Sequence, residues 1–250
     1  MRVFLAYSIY TNGADLLNVS PYKQGTIKSL ASIRFLSMTW VVAGHVMMDI
    51  GISDTLRPSM EIFNPFLSTT ILNAFFSVDT FFVLSGILVS YLFFKHKPSA
   101  AYVKNLMVWI MYYVHRYVRL TPPIMVFIWL FVTLTPLING PWAQTAVDVQ
   151  MSMYQPCEKY WWRNLLYINN LFDMTQSCYL ITWYLAVDTQ LYVVAPIFLI
   201  IFYISWIAGY AFICLCIAAS IGYVYYITIR YDLSAVLMGA FALNDLKFGL

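Results

Sequence analysis

Arg34 and His45 share one apolar stretch, some eleven residues or about three helical turns apart. Eleven steps of roughly 100° return to within about 20° of the starting face. The two side chains therefore line one stripe of a helix, about 16 Å apart along its axis. An imidazole in such a place can take a proton from a hydroxyl when a neighbouring carboxylate fixes its tautomer and raises its basicity. Asp79 and Asp188 stand in other apolar stretches and could supply that carboxylate. An ionisable side chain in hydrocarbon costs about 3 kcal/mol on insertion scales, so all four residues are functional candidates. The plainer alternatives are an arginine that snorkels to the headgroups, a hydrogen-bonded packing histidine, and two acids that only bridge helices. Gly44 lets another backbone approach beside His45. A second kind of chemistry is suggested by His115, Arg116 and Arg119 ahead of Thr121-Pro122-Pro123. Arg116 and Arg119 share a helical face, and paired guanidiniums grip phosphate through forked hydrogen bonds. Their plainer role is to anchor a helix end at the cytoplasmic surface.

The elements that must position these residues follow from composition. Of 250 residues, 62% are hydrophobic and only 10% charged. A soluble domain is about one quarter charged, so lipid is the expected solvent. Aromatic residues make up 18%, which suits a bundle ringed at its membrane interfaces. The net charge of +3 gives no case for nucleic acid as a partner. Five stretches are apolar enough to span the bilayer, near 31–50, 69–94, 120–139, 181–203 and 207–229. The predicted fold is all-α, a polytopic transmembrane helix bundle of about five spans. Residues 1–30 form a lead-in without a secretory cleavage site, and the run Val3 to Tyr10 reads as the tail of a preceding span. The apolar segment Val103 to Tyr113 is expected to lie on the surface or to lead into the third span.

Lys and Arg set the orientation. Lys95, Lys97, Lys104, Arg116 and Arg119 crowd 95–119 without an acid. Residues 1–30 and 95–119 are thus expected to be cytoplasmic, and 51–68 and 140–180 exoplasmic, in a plasma membrane or endomembrane. Counting from the expected outer ends puts His45, Asp79 and Asp188 in the outer half to middle of the bilayer, where they could share one wet cavity. Gln190, two residues from Asp188, points to a different face and serves another neighbour. Cys157 and Cys178 fall in the exoplasmic loop, where a disulfide is expected, while Cys214 and Cys216 read as packing residues. The sequon Asn18-Val19-Ser20 falls on the expected cytoplasmic side and should carry no glycan. There is no Gly-rich phosphate loop, no metal-ligand cluster and no Gly-x-Ser-x-Gly elbow, so no bound cofactor is expected.

Four ordered motifs resemble the membrane acyltransferase-3 family. They are Arg34-x10-His45, the run Ser77 to Gly86, Arg116-Tyr117-Val118-Arg119-Leu120-Thr121-Pro122, and Trp183 to Tyr192. His115 stands where many members have a further arginine, and Asp188 replaces the first glutamate of its block. The runs Tyr7 to Gly13, Ser32 to Ser37 and Tyr167 to Phe172 are similar to the nose-resistant-to-fluoxetine proteins of nematodes and arthropods. Members have more spans than the five found here. The likeness is to the N-terminal part of the acyltransferase domain, and 230–250 is expected to be the truncated start of a next segment.

The resemblance implies acyl transfer from a cytoplasmic acyl-CoA or similar thioester to a hydroxyl acceptor on the other side. It implies that Arg116, Arg119 and Arg34 hold the donor's phosphates, that His45 takes the acceptor proton, and that Asp79 or Asp188 supports His45. It also permits a second function, a non-catalytic lipid or small-hydrophobe uptake protein on the same fold.

Overall fold

The computed structural model describes residues 8–18, 28–52, 70–71, 73–95, 98–134, 137, 156–173 and 176–232, all in helices, turns or irregular links with no strand among them. All of 53–69, 138–155 and 233–250 lies outside the described residues, as do Val19 and Ser20 of the sequon. In chain order the helices are α1 (Ile9–Leu16), α2 (Lys28–Ile52), α3 (Phe75–Lys95), α4 (Ala100–Lys104), α5 (Leu106–Leu134), α6 (156–165), α7 (Trp183–Ile204) and α8 (Trp206–Tyr231). Five of these, α2, α3, α5, α7 and α8, are long and apolar enough to cross a membrane. Phe, Leu, Ile, Val and Tyr side chains lie exposed along them, a surface that suits lipid and not water. The chain is therefore a multi-pass helical membrane protein.

Helices α2 and α3 pack against each other in opposite directions. Gly44 makes this approach possible, since a Cβ there would overlap the Cβ of Ala74. The Trp40 indole donates to the Thr70 carbonyl at 2.9 Å, and the Thr80 hydroxyl meets Ser37 Oγ at 2.6 Å. Small and hydroxylated residues are the usual adhesive between helices in lipid, where no hydrophobic drive brings them together. Helix α7 packs on α3 and α8. It reaches α8 through the single extended residue Ser205, whose hydroxyl caps α8 at Ala208 N–H. Gly209 lies against the Phe202 ring, so even a methyl group there would collide at 2.6 Å.

The third span differs from its expected bounds of 120–139. Helix α5 begins at Leu106 and runs through Arg116 and Arg119 and the pair Pro122-Pro123 to Leu134. The segment 103–113 thus leads into the span, with a break only at Asn105, where α4 ends. The physical reason lies in α7. Asp188 neutralises Arg116, so the guanidinium no longer marks the limit of the apolar run.

Residues 156–173 and 176–180, expected only as part of a loop, are folded with 181–182 against α5 and α7. The Cys157–Cys178 disulfide closes this segment, and both cysteines are buried. Ile124 and Ile128 of α5, Tyr167 and Ala186 complete one buried cluster with them. This defines two ends of the bundle: a disulfide end, and an opposite end near Lys95 and Lys104 that is rich in basic residues.

Candidate functional site

The Arg116 guanidinium pairs with the Asp188 carboxylate across α5 and α7. Both are largely covered, with side chains 17% and 12% exposed, so the pair is held in low dielectric where neither charge could stand alone. One turn along, the Tyr112 and Tyr192 rings stack at 4.0 Å and 4°. The guanidinium sits 4.1 Å from the Tyr192 ring centroid, and the Tyr113 hydroxyl donates to the Val193 carbonyl at 3.0 Å. These contacts set α5 antiparallel to α7. Arg116 Nε is buried without a hydrogen-bond partner among the described residues.

From the disulfide end, the turn after α6 pushes into the bundle toward this pair. Tyr167 adopts φ 56°, a left-handed conformation that a bulky residue keeps only when its surroundings enforce it. The surroundings do so. Its hydroxyl lies 3.1 Å from Thr121 Oγ1, its ring meets Tyr117 edge-on at 6.2 Å, and its carbonyl accepts from Gln190 Nε2 at 2.9 Å. Gln190 and Asn170 exchange amide hydrogen bonds at 2.8 and 3.1 Å, so Gln190 does face a partner other than that of Asp188. Asn164 Nδ2 donates to the Cys178 carbonyl and Thr182 Oγ1, both at 2.7 Å. Irregular backbone at membrane depth is tolerated where protein satisfies its polar groups, and this network supplies that. Tyr167 lies outside the spanning helices. Burial lifts its phenol above the ordinary range, against opposing pulls from the Thr121 hydrogen bond and the Arg116 charge, so it stays a neutral hydroxyl.

Arg34 belongs to this same layer. Tyr184, one turn before Asp188 on α7, lies in the electrostatic reach of Asp188, Arg116 and Arg34, and its ring meets Phe81 and Phe82 of α3. In the sequence Tyr184 has no role beyond its place in the run Trp183 to Tyr192, and its position one turn before Asp188 is the signal that points to it. His45 and Asp79 lie elsewhere. His45 neighbours the Gly44–Ala74 contact, and Asp79 neighbours the Ser37–Thr80 contact. Counted along α3, the His45 level is about 8 Å from that of Asp79 and roughly 20 Å from that of Asp188. Both side chains are exposed, and neither makes a hydrogen bond or ion pair with any described residue. Arg119, one turn beyond Arg116, is also exposed.

The expected gathering of His45, Asp79 and Asp188 at one depth is therefore not what the structure has. Asp188 joins Arg116 and Arg34, Asp79 lies between, and His45 lies nearest the disulfide end. Counting from helix ends assumes that all spans start in one plane. Segment 156–182 breaks that assumption, because it fills the disulfide end above α7 and starts that helix at Trp183, alongside Phe81 and Phe82 of α3. Among the described residues no group of three or more His, Cys, Asp and Glu is placed to hold a metal.

A cavity of about 310 Å³ opens on the other side of Asp188, between α3, α7 and α8. Asp188 and Tyr192 stand near one end, and Phe94 and Phe202 near the other, toward the basic end.

Comparison with known proteins agrees with the architecture. The acyltransferase-3 family, described as an acyltransferase domain, matches residues 27–244, and the chain belongs to that family. It is 37% identical over 220 residues to nose resistant to fluoxetine protein 6 of Caenorhabditis elegans, covering 82% of this chain and 26% of that protein. It is 27% identical over 209 residues to regulator of hypoxia-inducible factor 1 of the same organism, covering 80% of this chain and 38% of that protein. The chain thus spans well under half the length of these curated relatives. No solved structure matches it. Family membership supports a membrane acyltransferase-like role.

Proposed function

We propose that the protein containing this chain moves an acyl group from a cytoplasmic acyl-CoA-like thioester to a hydroxyl acceptor. The observation that carries this reading is the stripe on α2, where Arg34 and His45 face one way and the imidazole makes no hydrogen bond or ion pair with any described residue. A side chain that served only packing would be expected to have its ring nitrogens satisfied. His45 takes the proton of the acceptor hydroxyl as its oxygen attacks the thioester carbonyl. The C–O bond forms, the C–S bond breaks, and the proton passes to the departing thiolate. Asp79 is the nearer of the two carboxylates by register and the better placed to support an imidazolium. Arg119 and Arg34 are exposed and available to the donor's phosphates. Arg116 holds α5 to α7 through Asp188 and adds its field to the same layer.

The test uses membranes carrying the full-length protein and acyl-CoA labelled in the acyl group. The reading requires label to leave the CoA and appear on an acceptor. Label that stays on CoA, with or without uptake, would overturn it.

A further inference from the structure

The cavity beside Asp188 is polar at one end and greasy along its length. Measured by helical rise from Asp188 to Phe202, it extends about 20 Å. Its volume of about 310 Å³ sits at the lower limit of small-molecule sites, which run from about 300 to 1,000 Å³. That suits one aliphatic chain and is too little for a two-chain lipid. At the polar end, Asp188 is already neutralised by Arg116, whose guanidinium is also covered by Tyr192. A phosphate head would face the Asp188 carboxylate, and an ammonium head would gain little from a carboxylate that Arg116 already neutralises from behind, so neither charge is favoured. What the walls offer instead is hydroxyl chemistry. Ser85 and Ser90 line the cavity, and neither side chain has a hydrogen-bond partner among the described residues. The level of this site is roughly 20 Å from His45, so it is separate from the imidazole assigned to proton transfer.

We propose that this groove binds a single-chain aliphatic amphiphile with an uncharged hydroxyl head, the head beside Asp188 and Ser85 and the chain running to Phe94 and Phe202. The site goes beyond the acyl-transfer reading and does not depend on it.

Gly86 supplies the test, because it lines the groove and a Cβ added there meets nothing within 4 Å. Gly86→Leu adds bulk to the groove wall from a Cβ that stands in open space and replaces a poor helix former by a good one, so folding is preserved. The probe is a diazirine-bearing monoacylglycerol with a clickable tail, photolysed in membranes containing the full-length protein. The expected result is label on peptides of α3 and α7 that include Ser85 to Phe94 or Ala195 to Phe202. Gly86→Leu should lower it at least roughly tenfold, since displacing two or more methylenes is enough for that. The same probe with a phosphate head should label at least about tenfold less, for one unfavourable charge contact. Equal labelling by both heads, label elsewhere on the protein, or label indifferent to Gly86→Leu each overturns the proposal. Acyl transfer is measured in parallel with a water-soluble acceptor. Lost transfer with intact labelling counts against the acyltransferase reading alone.

Discussion

Two ionisable residues in spans of one bundle have been treated in opposite ways. Asp188 is buried, paired with Arg116, bracketed by Tyr184 and Tyr192, and roofed by the inserted turn at Tyr167. His45 is exposed on α2 and makes no hydrogen bond or ion pair with any described residue. The difference teaches which charge is structural. A carboxylate at that depth is tolerable because a cation 72 residues earlier meets it and polar side chains close over both. An imidazole is uncharged when unprotonated and can be left bare at modest cost, ready for a proton. The disulfide end of α5 and α7 is thus a fixed frame, and α2 presents the imidazole that we propose to react.

The largest effect should come from breaking the frame's charge pair. Asp188→Ala leaves the Arg116 guanidinium buried and alone, which should cost about 3–5 kcal/mol and show as a large fall in thermal stability after detergent extraction. Replacing both residues together, as Asp188→Leu with Arg116→Leu, should recover most of that loss. A double variant no more stable than the single one would show that the pair is not what holds these helices. Next comes the closure of segment 156–182. Cys157→Ser should cost about 2–5 kcal/mol, and its effect and that of reductant should not add. Smaller still is the amide exchange that seats the inserted turn. Asn170→Ala should cost about 1–3 kcal/mol because it leaves Gln190 partly unsatisfied. If it destabilised as much as loss of the disulfide, the turn and not the cross-link would be the main anchor.

How much of this could be read from the residues depends on whether the cause was local. Apolar length is local, so the five spans and their order emerged from it. The pairing of Cys157 with Cys178 needed only their shared loop, and the separate face of Gln190 needed only helical periodicity. The start of α5 was out of reach by such means. Arg116 looked like the end of a span because its partner lies on a helix far along the chain. The inserted turn was hidden for a similar reason. Asn169 and Asn170 look like ordinary loop residues until Thr182 and Gln190 are folded against them. That fold then shifts α7 inward, and with it the depth of Asp188. A clue was nonetheless present: Asp188 is the one charged residue in a long apolar run, and such an acid is a candidate for pairing with an arginine of another helix before it is a candidate for a ligand.

The smallest structural effect belongs to the residue assigned the chemistry, and it offers the most direct measurement. His45→Ala should change thermal stability by no more than about 0.5 kcal/mol, as at an exposed site without partners. Acyl transfer per folded molecule of the full-length protein, followed with labelled acyl-CoA in membranes, should fall to background in the same preparation. Stable protein without transfer is the predicted result. Undiminished transfer by stable His45→Ala protein would contradict the account.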